Sequence, residues 1–321
     1  MSSTALPSNG HFVNIGTHSL ALYTHGPEPS SASDPVVLFV SGVASDALNW
    51  QAVVRQLSPS LRSYTCDRSG YNNSELSLLT PTAENIALEL SQLIEKAAIT
   101  NPLILVGHSW AGVLIHEVIA LKGTAQIAGL VLVDANHETA PLVLNVNDPI
   151  LWTVAEGVDP YSAWGVETDH KLTAEEWAAF RAAESTDKFE SIANKEDERY
   201  PSSFETLRNK ELSKGQPLLD DKPVCVIGGM RSRDWSGLYE AGVAKGNGDE
   251  DQRAHVRDMI ANVDKRNEDL MKEFLRLSTK SELVFARESG HFVQMTQPEI
   301  VVDGIKWVLE NRQAAQDKAS S

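Results

Sequence analysis

The chain has 321 residues and the composition of an ordinary globular protein, enough for one large α/β domain with an insertion or for two small domains. Its net charge of −16 and pI of about 5.0 argue against nucleic acid and anionic membranes as partners, since both demand a basic surface. Two cysteines, Cys66 and Cys225, give neither a disulfide framework nor zinc spacing; no run approaches a membrane span, and the polar start Met1 to Gly10 lacks an apolar leader core, so a cytoplasmic protein is expected.

His11 to Ile15 and Leu20 to Thr24 alternate loosely around a Gly16-Thr17 turn and read as an antiparallel pair at a sheet edge. Val36 to Val40 is an unbroken apolar run, the pattern of a strand buried on both faces, and it ends at Ser41-Gly42-Val43. Trp50 reads as core. Ser63 to Cys66 leads into Asp67-Arg68-Ser69-Gly70-Tyr71, a turn in which Asp67 and Arg68 are assigned a structural role. Thr82 caps a helix to about Ala98 with Ile86, Leu90, Leu93 and Ile94 on one face.

Leu103 to Val106 is a second buried strand, followed by Gly107-His108-Ser109-Trp110-Ala111-Gly112 and a helix closed by Gly123. Ile127 to Val133 is a third, ending at Asp134, a carboxylate on the rim where parallel sheets build their sites. From 138 to 222 the strand signal disappears. Thr173 and Glu176 form a capping box there, and Trp152, Trp164, Trp177 and Phe180 either line a pocket or fasten this segment to the rest. Pro223 to Gly229 resumes the sheet, with Asp234 a few residues beyond. Gly242 to Asp251 reads as a loop, Gln252 to Leu277 as a helix, and Glu282 to Ala286 as the last strand. Ser289-Gly290-His291 follows, then Gln297-Pro298-Glu299 opens a helix.

The strand, the Gly107-His108-Ser109-Trp110-Ala111 turn and the helix behind it resemble the nucleophile elbow of the α/β-hydrolase superfamily, with Ala111 where the second motif glycine usually stands. Ser289-Gly290-His291 with Gln297-Pro298-Glu299 resembles the catalytic histidine loop of the same superfamily. Asp67-Arg68-Ser69-Gly70-Tyr71 resembles its Asp-Arg-x-Gly turn. The resemblance covers nearly the whole chain outside 138–222 and the polar tail. It implies an α/β fold: a mostly parallel central sheet flanked by helices, with core parts at 1–137 and 223–312, a helical cap at 138–222 and a tail at 313–321.

The resemblance also implies a chemistry. A serine hydroxyl needs an imidazole to take its proton and a carboxylate to orient that imidazole. Ser109 and His291 take the first two roles. Asp134, at its strand end, is the favoured acid, and Asp234 is the alternative. The backbone N–H groups of Val43 and Trp110 are the expected oxyanion donors. His116 and His137 read as structural. The expected activity is hydrolysis of a small, fairly apolar ester, lactone or thioester, with no cofactor or metal and a small molecule as partner. An acyltransferase or cyclase, or a ligand receptor without turnover, remains open on the same residues.

Overall fold

The structure, a computed structural model, describes residues 6–320, with side chains described through Arg312. Met1 to Ala5, the first part of the polar start, and Ser321 lie outside the described residues. The strands are β1 (Gly10–Asn14), β2 (Ser19–His25), β3 (Val36–Val40), β4 (Ser63–Cys66), β5 (Leu103–His108), β6 (Ile127–Val133), β7 (Val224–Gly229) and β8 (Ser281–Ala286). They form one sheet in the order β1-β2-β4-β3-β5-β6-β7-β8. The pairs β1/β2 and β2/β4 are antiparallel, and every other pair is parallel.

The unbroken apolar runs have a physical reason: both faces of the inner strands are covered. Val36, Leu38 and Val40 of β3, Leu103 and Leu105 of β5, and Leu130 and Leu132 of β6 point to one core. Val37, Phe39, Ile104, Val106, Val131 and Val133 point to the other. Helices α2 (Ala83–Lys96) and α3 (Ala111–Lys122) feed the first core. Helix α1 (Gln51–Leu57), preceded by a 3₁₀ turn at Ala47–Trp50, feeds the second. Trp50 is fully buried there, its ring 4.8 Å from that of Phe39.

Between β6 and β7 the chain is helical: α4 (Ala140–Val143), α5 (Pro149–Val154), α6 (Pro160–Ala163), α7 (Val166–Asp169), α8 (Ala174–Glu184) and α9 (Asp187–Asn209). The Thr173–Glu176 capping box starts α8. Tyr161, Trp164, Trp177 and Phe180 cluster with Phe292 of the loop after β8 and with Met295 just beyond it, so these aromatics fasten the inserted segment to the histidine loop. Trp152 instead stays 42% exposed.

After β7 come α10 (Arg231–Ala244) and α11 (Glu250–Phe274), then β8, α12 (Val293–Thr296) and α13 (Pro298–Ser320). One expectation is corrected here. Gly242 to Asp251 is not all loop: Gly242 lies inside α10, and Asp249 caps α11 through a capping box with Gln252. Gly242 is there for close approach rather than for a turn, because a Cβ would sit 1.9 Å from the Val154 carbonyl oxygen. Helix α13 continues past Arg312 to Ser320, through a stretch rich in Ala and Gln, which favour helix.

Candidate active site

Ser109 stands at the turn between β5 and α3 with φ of 57°, in the left-handed region. For a non-glycine residue this costs about 1–2 kcal/mol. The strain is offset locally: Ser109 N donates to Val133 O at 3.2 Å, and Asn136 N donates to Ser109 O at 2.7 Å. Gly112 permits this closeness, since a Cβ there would lie 2.4 Å from the Asn136 carbonyl oxygen. Ala111 is fully buried at the first position of α3 and leaves the elbow intact.

Parallel pairing sets His108 of β5 beside Val133 of β6, which brings Asp134 to the rim next to Ser109. Asp134 also has a positive φ, 40°, and its side chain is completely buried. Its Oδ1 accepts from Asn267 Nδ2 at 2.9 Å and from Gly229 N at 3.1 Å. Its Oδ2 lies 2.6 Å from His291 Nδ1 and 2.7 Å from Arg231 Nε. Asp234 approaches the same histidine differently: its Oδ2 accepts the backbone N–H of His291 at 2.7 Å. The two carboxylates considered from sequence thus divide, Asp134 on the imidazole and Asp234 on the main chain.

The electrostatics follow from this packing. Burial by itself would raise the Asp134 carboxyl, but Arg231, His291 and Asn267 outweigh it and hold the group below its usual range. His291 is pushed down by burial and then by Arg231, against the pull of Asp134. Asp234 is pushed up to about 7 by burial, with the His291 N–H and Arg231 opposing. His108, buried and beside His291 with ring centroids 4.4 Å apart, is held well below its ordinary value by burial and by its neighbour; its Nε2 donates to the His291 carbonyl at 2.9 Å.

The Ser109 hydroxyl donates to Asn136 Oδ1 at 3.5 Å, and the same oxygen accepts from the Tyr200 hydroxyl at 3.0 Å. Asn136, Leu144, Tyr200 and Phe204 line a cavity of about 70 Å³ beside the elbow. The Ser41-Gly42-Val43 loop lies against Ser109: a Cβ on Gly42 would fall 2.9 Å from Ser109 Cβ. Among the described residues, neither the Val43 nor the Trp110 backbone N–H has a hydrogen-bond acceptor. The Trp110 indole is fully buried beneath α9, where Nε1 donates to Ser203 Oγ at 2.9 Å. His116 and His137 are engaged locally, by the Gly112 carbonyl and the Thr139 hydroxyl.

The residue range 37–304 matches the model of the alpha/beta hydrolase family. The chain belongs to the alpha/beta hydrolase family. Members act on small molecules, and among the described residues no helix is long and apolar enough to cross a membrane. An "AB hydrolase superfamily protein" of Gibberella zeae is 29% identical over 310 residues, covering 93% of this hydrolase-family chain and 94% of that protein. The "probable transporter efuK" of Hormonema carpetanum is 32% identical over 314 residues, 96% of this chain but 44% of that protein, so the chain spans under half of that relative. A thermophilic esterase from Thermogutta terrifontis superposes with a TM-score of 0.60 at 18% identity, covering 95% of this chain and 99% of the esterase; at that identity the likeness is one of fold.

Four residues of the site escape sequence reading: Asn136, Tyr200, Arg231 and Asn267. Asn267 had a signal, as a polar residue on the apolar face that Val263, Leu270 and Met271 give α11. Arg231 stands two residues past Gly229, on the rim of the parallel sheet. Asn136 and Tyr200 carry no comparable mark. Among the described residues no group of three or more His, Cys, Asp or Glu is placed to hold a metal ion.

Proposed function

We propose that this protein is a serine hydrolase of small, fairly apolar carboxylic esters, lactones or thioesters, with Ser109 as nucleophile, His291 as base and Asp134 as the acid. The observation that carries the reading is the 2.6 Å contact of His291 Nδ1 with Asp134 Oδ2, on the sheet rim where Ser109 is held at φ 57° in the turn after β5. With its Nδ1–H donated as a hydrogen bond to the carboxylate, the neutral ring presents Nε2 as the acceptor, the tautomer a general base needs.

The reaction begins when the Ser109 hydroxyl leaves Asn136 and gives its proton to His291 Nε2 as Oγ attacks the substrate carbonyl. The carbonyl oxygen becomes an oxyanion and takes the Val43 and Trp110 N–H groups, a term worth about 10²–10³ in rate per donor. The imidazolium then protonates the leaving alkoxide or thiolate, and an acyl-enzyme remains. Water, deprotonated by His291, repeats the sequence and frees the acid. The segment 138–222 serves as a cap over this site, and the apolar lining of the cavity beside Asn136 suits a short acyl or alkyl group. Free Cys66 and Cys225 fit a reducing, cytoplasmic setting.

The test is hydrolysis of p-nitrophenyl acetate, butyrate and octanoate by wild type and Ser109→Ala, with fluorophosphonate labelling of both. Turnover and stoichiometric labelling that vanish in Ser109→Ala are the expected result. Labelling without turnover on any ester overturns hydrolysis as the function.

A further inference from the structure

The peptide that carries the Val43 N–H is gripped from both sides by groups outside the elbow. On one side, Arg68 Nη1 donates to the Ser41 carbonyl at 2.9 Å and Nη2 to the Gly42 carbonyl at 2.7 Å. The Gly42–Val43 bond is trans, so a carbonyl turned to Arg68 turns the Val43 N–H the opposite way. On the other side, the next amide, Ala44 N, donates to Glu196 Oε2 at 2.9 Å.

Glu196 is the hub of this arrangement, and it comes from α9 of the inserted segment. It is 1% exposed. Its Oε1 accepts from Arg68 Nε at 2.9 Å, and its Oε2 from Arg68 Nη2 at 2.8 Å and from the Tyr71 hydroxyl at 2.9 Å. The fork geometry fixes the guanidinium in one plane. Ala44, at φ 49°, packs against the cluster of Tyr71 with Phe189, Ile192 and Ala193 of α9.

We infer that Glu196 is a positioning residue for the oxyanion loop: through Arg68 and Ala44 N it holds the Val43 N–H toward Ser109, so docking of the inserted segment completes the oxyanion hole. This rests on the serine-hydrolase reading above. It assigns the segment a role beyond covering the substrate. A substrate that lifts α9 loosens the donor, and one that leaves α9 seated meets a finished site.

The experiment compares Glu196→Gln with wild type and with Arg55→Gln. The latter breaks the Arg55–Glu176 ion pair, another link between the core and the inserted segment, whose hydrogen bonds go to Glu176 and the Lys171 carbonyl and not to the oxyanion loop. In Glu196→Gln the amide NH₂ faces donors that the carboxylate accepted. The expected result is a fall in kcat on p-nitrophenyl butyrate of about 10- to 100-fold with KM changed less than about twofold. Affinity for a trifluoromethyl ketone, which mimics the tetrahedral intermediate, falls by the same factor. Amide exchange across residues 42–45 accelerates, and Arg55→Gln moves none of these. Arg68→Lys keeps the buried charge pair but loses the fork, and reproduces the effect should Glu196→Gln not fold. Unchanged kcat and ketone affinity in both loop variants overturn the inference, as do equal losses in Arg55→Gln. If wild type turns over no ester, the serine-hydrolase reading falls, and unaltered exchange across 42–45 would separately show that Glu196 does not hold this loop.

Discussion

Arg231 and His291 meet on one oxygen of Asp134, Nε at 2.7 Å and Nδ1 at 2.6 Å. A permanent cation and an imidazole N–H therefore share a carboxylate oxygen that has no exposure to water. The arginine keeps Asp134 ionised in a buried site, and at the same time disfavours the imidazolium that the proposed reaction would form.

That competition fixes a pH dependence. The groups facing His291 are Asp134 and Arg231 on its ring, His108 beside it and Asp234 on its backbone N–H. Its ring is held below the ordinary 6.5, by burial first and Arg231 second. A base must be neutral, so kcat/KM rises with pH through this value, and the acid limb should lie below pH 6.5. Removing the cation in Arg231→Leu favours the imidazolium and should move the limb up, toward the ordinary histidine value. Arg231→Lys should stay near wild type. A pH–rate profile decides this, and an NMR titration of His291 gives the same answer without turnover.

The two aspartates should separate sharply. Asp134→Asn removes the charge that orients and stabilises the imidazolium, and kcat should fall about 10³- to 10⁴-fold. Asp234→Asn still offers a carbonyl oxygen to the His291 N–H, and the loss should stay within about tenfold. Steady-state kinetics on one ester suffices. A reversed order would make Asp234 the acid.

Asp234 also predicts a stability effect. Its folded value of about 7 lies above the 3.8 of a free aspartate, so the native state binds the extra proton between those values. Stability therefore falls as pH rises from about 4 to 7, by up to a few kcal/mol from this group. Asp234→Asn should flatten that part of the profile in urea unfolding at several pH values. An unchanged slope would show that Asp234 ionises at its ordinary pH.

Gly112→Ala should damage the elbow without touching a reacting group. The added Cβ meets the Asn136 carbonyl oxygen at 2.4 Å, and backbone cannot swing aside as a side-chain tip can. A loss of about 1–3 kcal/mol in unfolding free energy is expected. Activity should fall with it, since Asn136 N anchors the Ser109 carbonyl.

The strands, the elbow serine and the histidine loop were legible because their signals are local. A strand covered on both faces must be apolar throughout, as in Leu103–Val106 and Ile127–Val133, and a tight strand-to-helix turn demands small residues around Ser109. Ser109 and His291 each sit in such a local context. Helix α10 carries no such local signal, and its Gly237 and Gly242 each admit a backbone carbonyl of the inserted segment, from Ala163 and Val154.

The sequence alone could bring Asp134 and Asp234 only to the same rim. Which of them meets the imidazole depends on where β6 and the loop after β8 arrive, across 157 residues of chain. The same holds for Arg231 on Asp134 and for Glu196 on Arg68, pairs made by separate elements that converge only once the sheet is assembled and α9 is seated. Periodicity reports which face of an element is buried. It carries no information on which polar group meets which across two such faces, and that choice, made by the tertiary structure, sets the charge around His291 and the direction of the Val43 N–H.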